Sequence, residues 1–354
     1  MEQERKHESS DVAFALAGLG GFNAHGAGFL AAATEAGVTP DIVTATSGQI
    51  FVLSEWIKGR DMRAVVVAPE AERDRFAQAR VALTGLRGVF APAYAEAVGR
   101  WFRPPAPHET EFETIFDRLL PAQQYVPTRP DAWFADVAAT LQNAPFGVVF
   151  NAYDLARGKG VLYGNDRARA QLPEKSAIAA PSAVADLRSD KTAGGETRLE
   201  EITPEAVKAA LWLSLYGFDG LVNGQIDGAY HRSCIVSELR RSRYVFVARL
   251  LANGWIEHDP PRNWFDVQDW QCEMWFSASY KAEIQGMDRI NRLIADDVLK
   301  PGGPFRHVEI VEIAPSTPAG YFNFFIERPE VFEAARTQAA ARFAELKPRL
   351  ASPD

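Results

Sequence analysis

The chain has 354 residues, 47% apolar and 24% charged, enough for a large folded core in one or two domains. Its net charge of −8 argues against a nucleic-acid partner, because binding a phosphate backbone needs basic surface. The only cysteines, Cys234 and Cys272, are far apart and match no metal spacing, and no run reaches the roughly 20 apolar residues of a membrane span.

Residues 1–10, "MEQERKHESS", are too charged for a signal peptide and read as a solvated tail on a cytoplasmic protein, with contact at a membrane surface left open. "DVAFALAG" (11–18) reads as a buried strand running into a glycine turn, and "AHGAGFLAAATEAG" as the helix after it, stopped by Gly37. "PDIVTAT" is a second strand, and a second helix opens from Ser47. Strands alternating with helices in this way predict an α/β fold, a mainly parallel central sheet covered by helices.

From about 69 to 130 the pattern turns helical, with arginines beside bulky apolar residues. This insertion either packs on the sheet or forms a cap or membrane-facing element, the second reading resting on Trp101-Phe102 between arginines. "DAWFADVAATLQNAP" is a helix, "FGVVFNAYDL" a strand and "GKGVLYGN" its hairpin partner. Residues 174–200, rich in small and polar types, read as a mobile loop. Thr203, Pro204 and Glu205 then start a helix. "GLVNGQIDGAY" is turn and strand, "RYVFVARLL" and "HVEIVEIAP" are buried strands, and "PEVFEAARTQAAARFAELKPRL" is a closing amphipathic helix. The Trp-rich stretch 254–276 reads as core or as the lining of an apolar pocket. No repeat or linker appears, so residues 11–354 are expected to form one domain.

The glycine turn "GLGGFN" (18–23) admits two functions. As a dinucleotide site it offers Gly18 and Gly20 but Asn23 in place of the third glycine, and the acid expected at the end of the second strand stands instead at its start, as Asp41. As an oxyanion hole it offers backbone N–H groups, at Gly18, Leu19, Gly20 and Gly21, to an oxygen that becomes negative when an ester carbonyl is attacked. The second use needs a nucleophile at the same edge of the sheet, where Ser47 ends the neighbouring strand.

In order and spacing, "GLGGFN", "GFLAAATEAG", "PDIVT", "ATSGQ" and the later "IDGAY" resemble the motifs of the patatin-like phospholipases, G-G-G-x-R-G, G-[VF]-L-x-x-L-x-E-x-G, P-D and strand, G-x-S-x-G, and D-G-[GA]. The resemblance covers about residues 11 to 250. It implies a three-layer α/β/α acyl hydrolase with Ser47 as nucleophile, Asp227 as its base, no histidine in the dyad and no cofactor; no metal is expected either, since His7, His108, His258 and His307 are scattered without metal-ligand spacing. It further implies a lipid or other acyl-ester substrate, or transfer of the acyl group to another acceptor. Taken singly, Ser47 is equally a helix cap and Asp227 a turn aspartate.

The departures are Leu19, Phe22 and Asn23 in the glycine turn, and Ala45 and Gln49 flanking the serine. They motivate a rival, a non-catalytic relative that binds a lipid or a partner. Gln49 is expected to reach into the pocket or crowd the turn. His25, just after the glycine turn, is read either as a pocket residue or as an ordinary helix residue.

Overall fold

The computed structural model describes residues 11–18, 23–67, 76–104, 107, 110–119, 122–172, 199–249, 260–300, 305–314 and 329–350. The amino-terminal tail, residues 19–22 of the glycine turn and nearly all of the 174–200 loop lie outside them.

The first half of the sheet is built as the alternation predicts. Strand β1 (Val12–Leu16) leads to helix α1 (Asn23–Ala36), and β2 (Ile42–Ala45) leads to α2 (Gln49–Ile57) and the short α3 (Met62–Val66). Both strands are buried throughout, the signature of strands covered on both faces. Gly37, at φ +68°, ends α1 in the left-handed conformation that glycine adopts without strain.

The insertion holds helices α4 (Ala77–Thr84), α5 (Tyr94–Trp101) and α6 (Glu111–Leu119). It also contains β3 (Phe90–Pro92), which pairs antiparallel with β4 (Tyr125–Pro127) in a small separate sheet that the helical pattern does not announce.

After α7 (Asp131–Gln142) come β5 (Gly147–Asp154), its antiparallel partner β6 (Lys159–Gly164), α8 (Asp166–Gln171) and the two-residue β7 (Glu200–Glu201). Helix α9 (Pro204–Ala210) is capped by Thr203, whose hydroxyl accepts from the Ala206 N–H, and it ends sooner than its apolar sequence suggests. Then follow β8 (Gln225–Asp227), β9 (Tyr244–Ala248), the 32-residue α10 (Trp264–Ala295), β10 (Glu309–Ile313) and α11 (Pro329–Leu350).

The fold is α/β: an eight-stranded sheet in the order β10-β9-β1-β2-β5-β6-β7, with β8 added to β5 and helices packed around it. The run from β10 to β5 is parallel; β6 and β8 run antiparallel to β5. In the core Phe14 of β1 meets Phe29 of α1 edge-on at 4.9 Å between ring centroids, and Phe343 of α11 stands 5.5 Å from Phe29 and 4.8 Å from Phe246. The closing helix is therefore part of the main core.

Candidate active site

Strand β2 ends at Ala45, and the chain turns through Thr46, Ser47 and Gly48 into α2. Ser47 sits at φ +57°, the left-handed region, which costs a non-glycine residue about 1 kcal/mol or more and persists only where the surroundings impose it. A serine held this way between strand and helix is the geometry of a nucleophile elbow. The ordinary alternative, a helix cap, does not describe its side chain: the N-cap position of α2 is Gly48, with no side-chain capping bond. The Ser47 hydroxyl instead donates to Asp227 Oδ2 at 2.5 Å.

The meeting of two residues 180 positions apart follows from sheet register. Strand β2 pairs with β5 up to Ala45 opposite Phe150, and there it stops. Strand β8 then takes the vacated edge of β5, running the other way, with Asp227 opposite Ala152. Ser47 is two residues past Ala45, as Ala152 is two past Phe150, so one strand sets both at the same level.

The carboxylate is fixed at several points. Asp227 Oδ1 accepts from the Ala229 N–H at 2.8 Å, and the Asp227 N–H donates to the Trp212 carbonyl at 3.1 Å. Asn151 on β5 holds the following turn, donating through Nδ2 to the carbonyls of Gly228 at 3.2 Å and Arg232 at 2.9 Å. Arg232 lies half-buried between two carboxylates, donating to both oxygens of Glu238 and to Glu283 of α10. Glu283 also accepts from the N–H groups of Val236 and Ser237. Burial opposes its charge, yet Arg232 and these donors hold its carboxyl below the ordinary range. Asn151, Arg232 and Glu283 escaped the sequence reading because their roles depend on which backbone groups the fold brings beside them.

Ser47 and Asp227 are 2% and 1% exposed. Burial pushes the Asp227 carboxyl up to about 7, against the opposing effect of the bonds from Ser47 and the Ala229 N–H. A carboxylate that titrates near neutrality within hydrogen-bond reach of a hydroxyl is a competent general base.

The other sequence-selected residues divide. Gly18 lies against the elbow, so close that a Cβ there would stand 2.4 Å from the Thr46 carbonyl oxygen. Its N–H already donates to the Ser233 carbonyl at 2.7 Å. Leu19, Gly20 and Gly21 lie outside the described residues.

Gln49 is buried at the start of α2, its side chain over Gly26 of α1, where a Cβ would come 1.9 Å from its Oε1. Asn23 sits in the same way over Gly48, where a Cβ would come 2.3 Å from its Oδ1. Gln49 and Asn23 therefore each face a glycine on the opposing element, and the close approach of α1 to the elbow is kept. His25 turns away toward the sheet edge, its Nε2 2.9 Å from the Ile313 carbonyl, and burial lowers its pKa to about 4.

Asp41, the acid of the dinucleotide reading, uses Oδ2 to accept from the N–H groups of Asp11 and Val12 at 3.0 and 3.1 Å. That carboxylate ties the starts of two strands together, at the end of the sheet away from Ser47. Among the described residues no group of three or more His, Cys, Asp or Glu is placed to hold a metal ion.

No family model matches the chain, and no curated protein does. Among solved structures, VipD from Legionella pneumophila is similar at TM-score 0.31 and 10% identity, over 95% of this chain and 67% of that one. A likeness that distant leaves the functional reading to rest on the site itself.

Proposed function

We propose that this chain is a serine acyl hydrolase of patatin-like type that cleaves a lipid or other carboxylic ester through Ser47 and Asp227. The observation that carries the reading is the 2.5 Å bond from a serine at φ +57° to a buried carboxylate. Asp227 Oδ2 takes the Ser47 proton as Oγ attacks the acyl carbonyl, and the carbonyl oxygen becomes negative. As the tetrahedral species collapses, the alcohol leaves with the proton held by Asp227, and the acyl group remains on Ser47. Asp227 next takes a proton from water, whose oxygen attacks the acyl carbon; the acid departs and Ser47 recovers its proton.

The oxyanion is assigned to N–H groups of the glycine turn. Since the Gly18 N–H serves Ser233, that role falls to Leu19, Gly20 and Gly21. The glycines opposite Gln49 and Asn23 support activity in a chain whose motifs depart from the family pattern, because they leave the elbow in place. A fluorophosphonate probe tests the reading: wild type should be labelled and Ser47→Ala should not. A folded wild type that resists the probe and turns over no p-nitrophenyl ester would overturn it in favour of a binding role.

A further inference from the structure

In a folded helical hairpin the apolar faces of two helices meet and the charged faces look outward. The insertion does the reverse. Helix α5 buries no residue, and Tyr94, Val98 and Trp101, spaced four and three apart along one face, are all exposed. Phe102, just beyond it, is 84% exposed. Helix α6 buries only Thr114, and Phe112, Ile115, Phe116 and Leu119 form an exposed stripe at helical spacing. What joins the two helices is charge, an ion pair of 2.5 Å between Arg100 and Asp117.

The insertion that carries this apolar surface is rooted beside the strand that ends in Asp227. The insertion packs on the segment before Asp227: Phe90 and Tyr125 share a small core with Trp212, Tyr216 and Ile226. The N–H groups of Gln124 and Tyr125 both donate to the Leu215 carbonyl, at 2.8 and 3.0 Å. On the other side of the turn after Asp227, α10 exposes Trp270, Met274 and Trp275 next to Phe276, whose carbonyl accepts from Ser233 Oγ at 3.1 Å.

We infer that the exposed stripes of α5 and α6 seat this chain on a lipid bilayer, with the dyad facing the surface. Arg118 lies 6.0 Å from the Trp101 ring centre and Arg103 follows Phe102, so aromatic rings with arginines beside them stand where acyl chains give way to head groups. Residues 94–119 hold Glu96, Glu109, Glu111, Glu113 and Asp117 against Arg100, Arg103 and Arg118. With no excess of positive charge, the attraction is apolar burial, and a neutral phosphatidylcholine surface suffices. The choice of lipid over a protein partner rests on the acyl-hydrolase reading.

Flotation of the full chain with phosphatidylcholine vesicles tests this. Wild type is expected to float with the vesicles at low and high salt alike, since screening does not weaken apolar burial. Phe102→Asp with Phe116→Asp should lose vesicle binding by about tenfold or more, the cost of placing charge at the acyl boundary. The same variant should keep its melting temperature and its turnover of a soluble short-chain ester. Phe102→Ser with Phe116→Ser gives the same ranking should the aspartates unsettle the insertion.

Wild type that ignores the vesicles overturns the inference, as does a double variant that binds as well as wild type. So does a wild-type dimer that the double variant splits while neither form binds lipid. Ser47→Ala separates the two readings: if it floats like wild type while wild type cleaves no ester, docking stands and hydrolysis falls. If wild type cleaves soluble esters but never floats, the reverse holds.

Discussion

The elbow and the insertion bury opposite things. Around Ser47 the chain hides polar groups, a serine, an aspartate and Gln49, and each fits against a glycine, a backbone amide or the other member of the dyad. Between Tyr94 and Leu119 it shows large apolar groups to solvent and ties its two helices with an ion pair. The first region is fixed by contacts on every side, so a single methyl group is felt there. The second is held at its root and leaves its outer face free to change.

That contrast ranks the expected effects. Ser47→Ala or Asp227→Asn should reduce ester turnover by about 10³-fold or more, measured with p-nitrophenyl esters, because each removes a group that bonds to the other in the reacting geometry. An active Asp227→Asn enzyme would mean that some other base serves Ser47. The aspartate should also set the pH dependence. With its carboxyl at about 7, turnover should rise by about tenfold per pH unit below that value and level off above it.

Stability should move the other way. The folded state holds the Asp227 proton up to about pH 7 while the unfolded chain releases it near the ordinary 3.8, so stability falls as pH rises through that window. Asp227→Asn should remove that loss, a gain of the order of a few kcal/mol at pH 8 by denaturant titration. A variant less stable than wild type at pH 8 would count against a strained, desolvated carboxylate.

The fit of Gln49 on Gly26 predicts a smaller, coupled effect. Gly26→Ala alone should cost about 1–3 kcal/mol through overpacking, and Gln49→Ala in the same chain should recover part of it. Strict additivity would show that the two do not share the space. His25 gives a change of similar size with the opposite pH sign from Asp227. Its folded pKa of about 4 lies below the ordinary 6.5, so the stability it contributes is complete above pH 6.5 and lost as pH falls toward 4. His25→Gln should flatten that acid limb. The smallest effect belongs to the insertion, where Phe112→Ser should shift stability by no more than about 0.5 kcal/mol because that ring is 69% exposed.

The sequence was most legible where periodicity and burial agree. The strands "VAFAL" and "YVFVA" are unbroken apolar runs, "IVTA" is interrupted only by Thr44, and each lies buried in the sheet. Ser47 and Asp227 stood out through the order of their motifs, and register accounts for their proximity without help from nearby sequence. Less legible were features that depend on what lies opposite. Gln49 looked like an intrusion into a tight turn because its counterpart, Gly26, is on another element. The Trp-rich stretch looked like core or pocket lining; its described part opens a 32-residue helix that buries Phe276 in the core and leaves Trp275 69% exposed. A stripe of aromatic residues at helical spacing defines a face, and only the tertiary arrangement decides what that face meets.

The succession of β2 and β8 along one edge of β5 bears on how such a site can vary. Ser47 and Asp227 are both gauged against the same few peptide groups, Phe150 to Ala152, so β5 serves as a common ruler for the pair. Exposed positions away from those marks, such as the outer faces of α5 and α6, can change without altering that gauge. A single residue added to β5 between those marks would reverse the facing of every side chain beyond it and turn the acid away from the serine. The spacing of Ser47 and Asp227 is thus set through one strand.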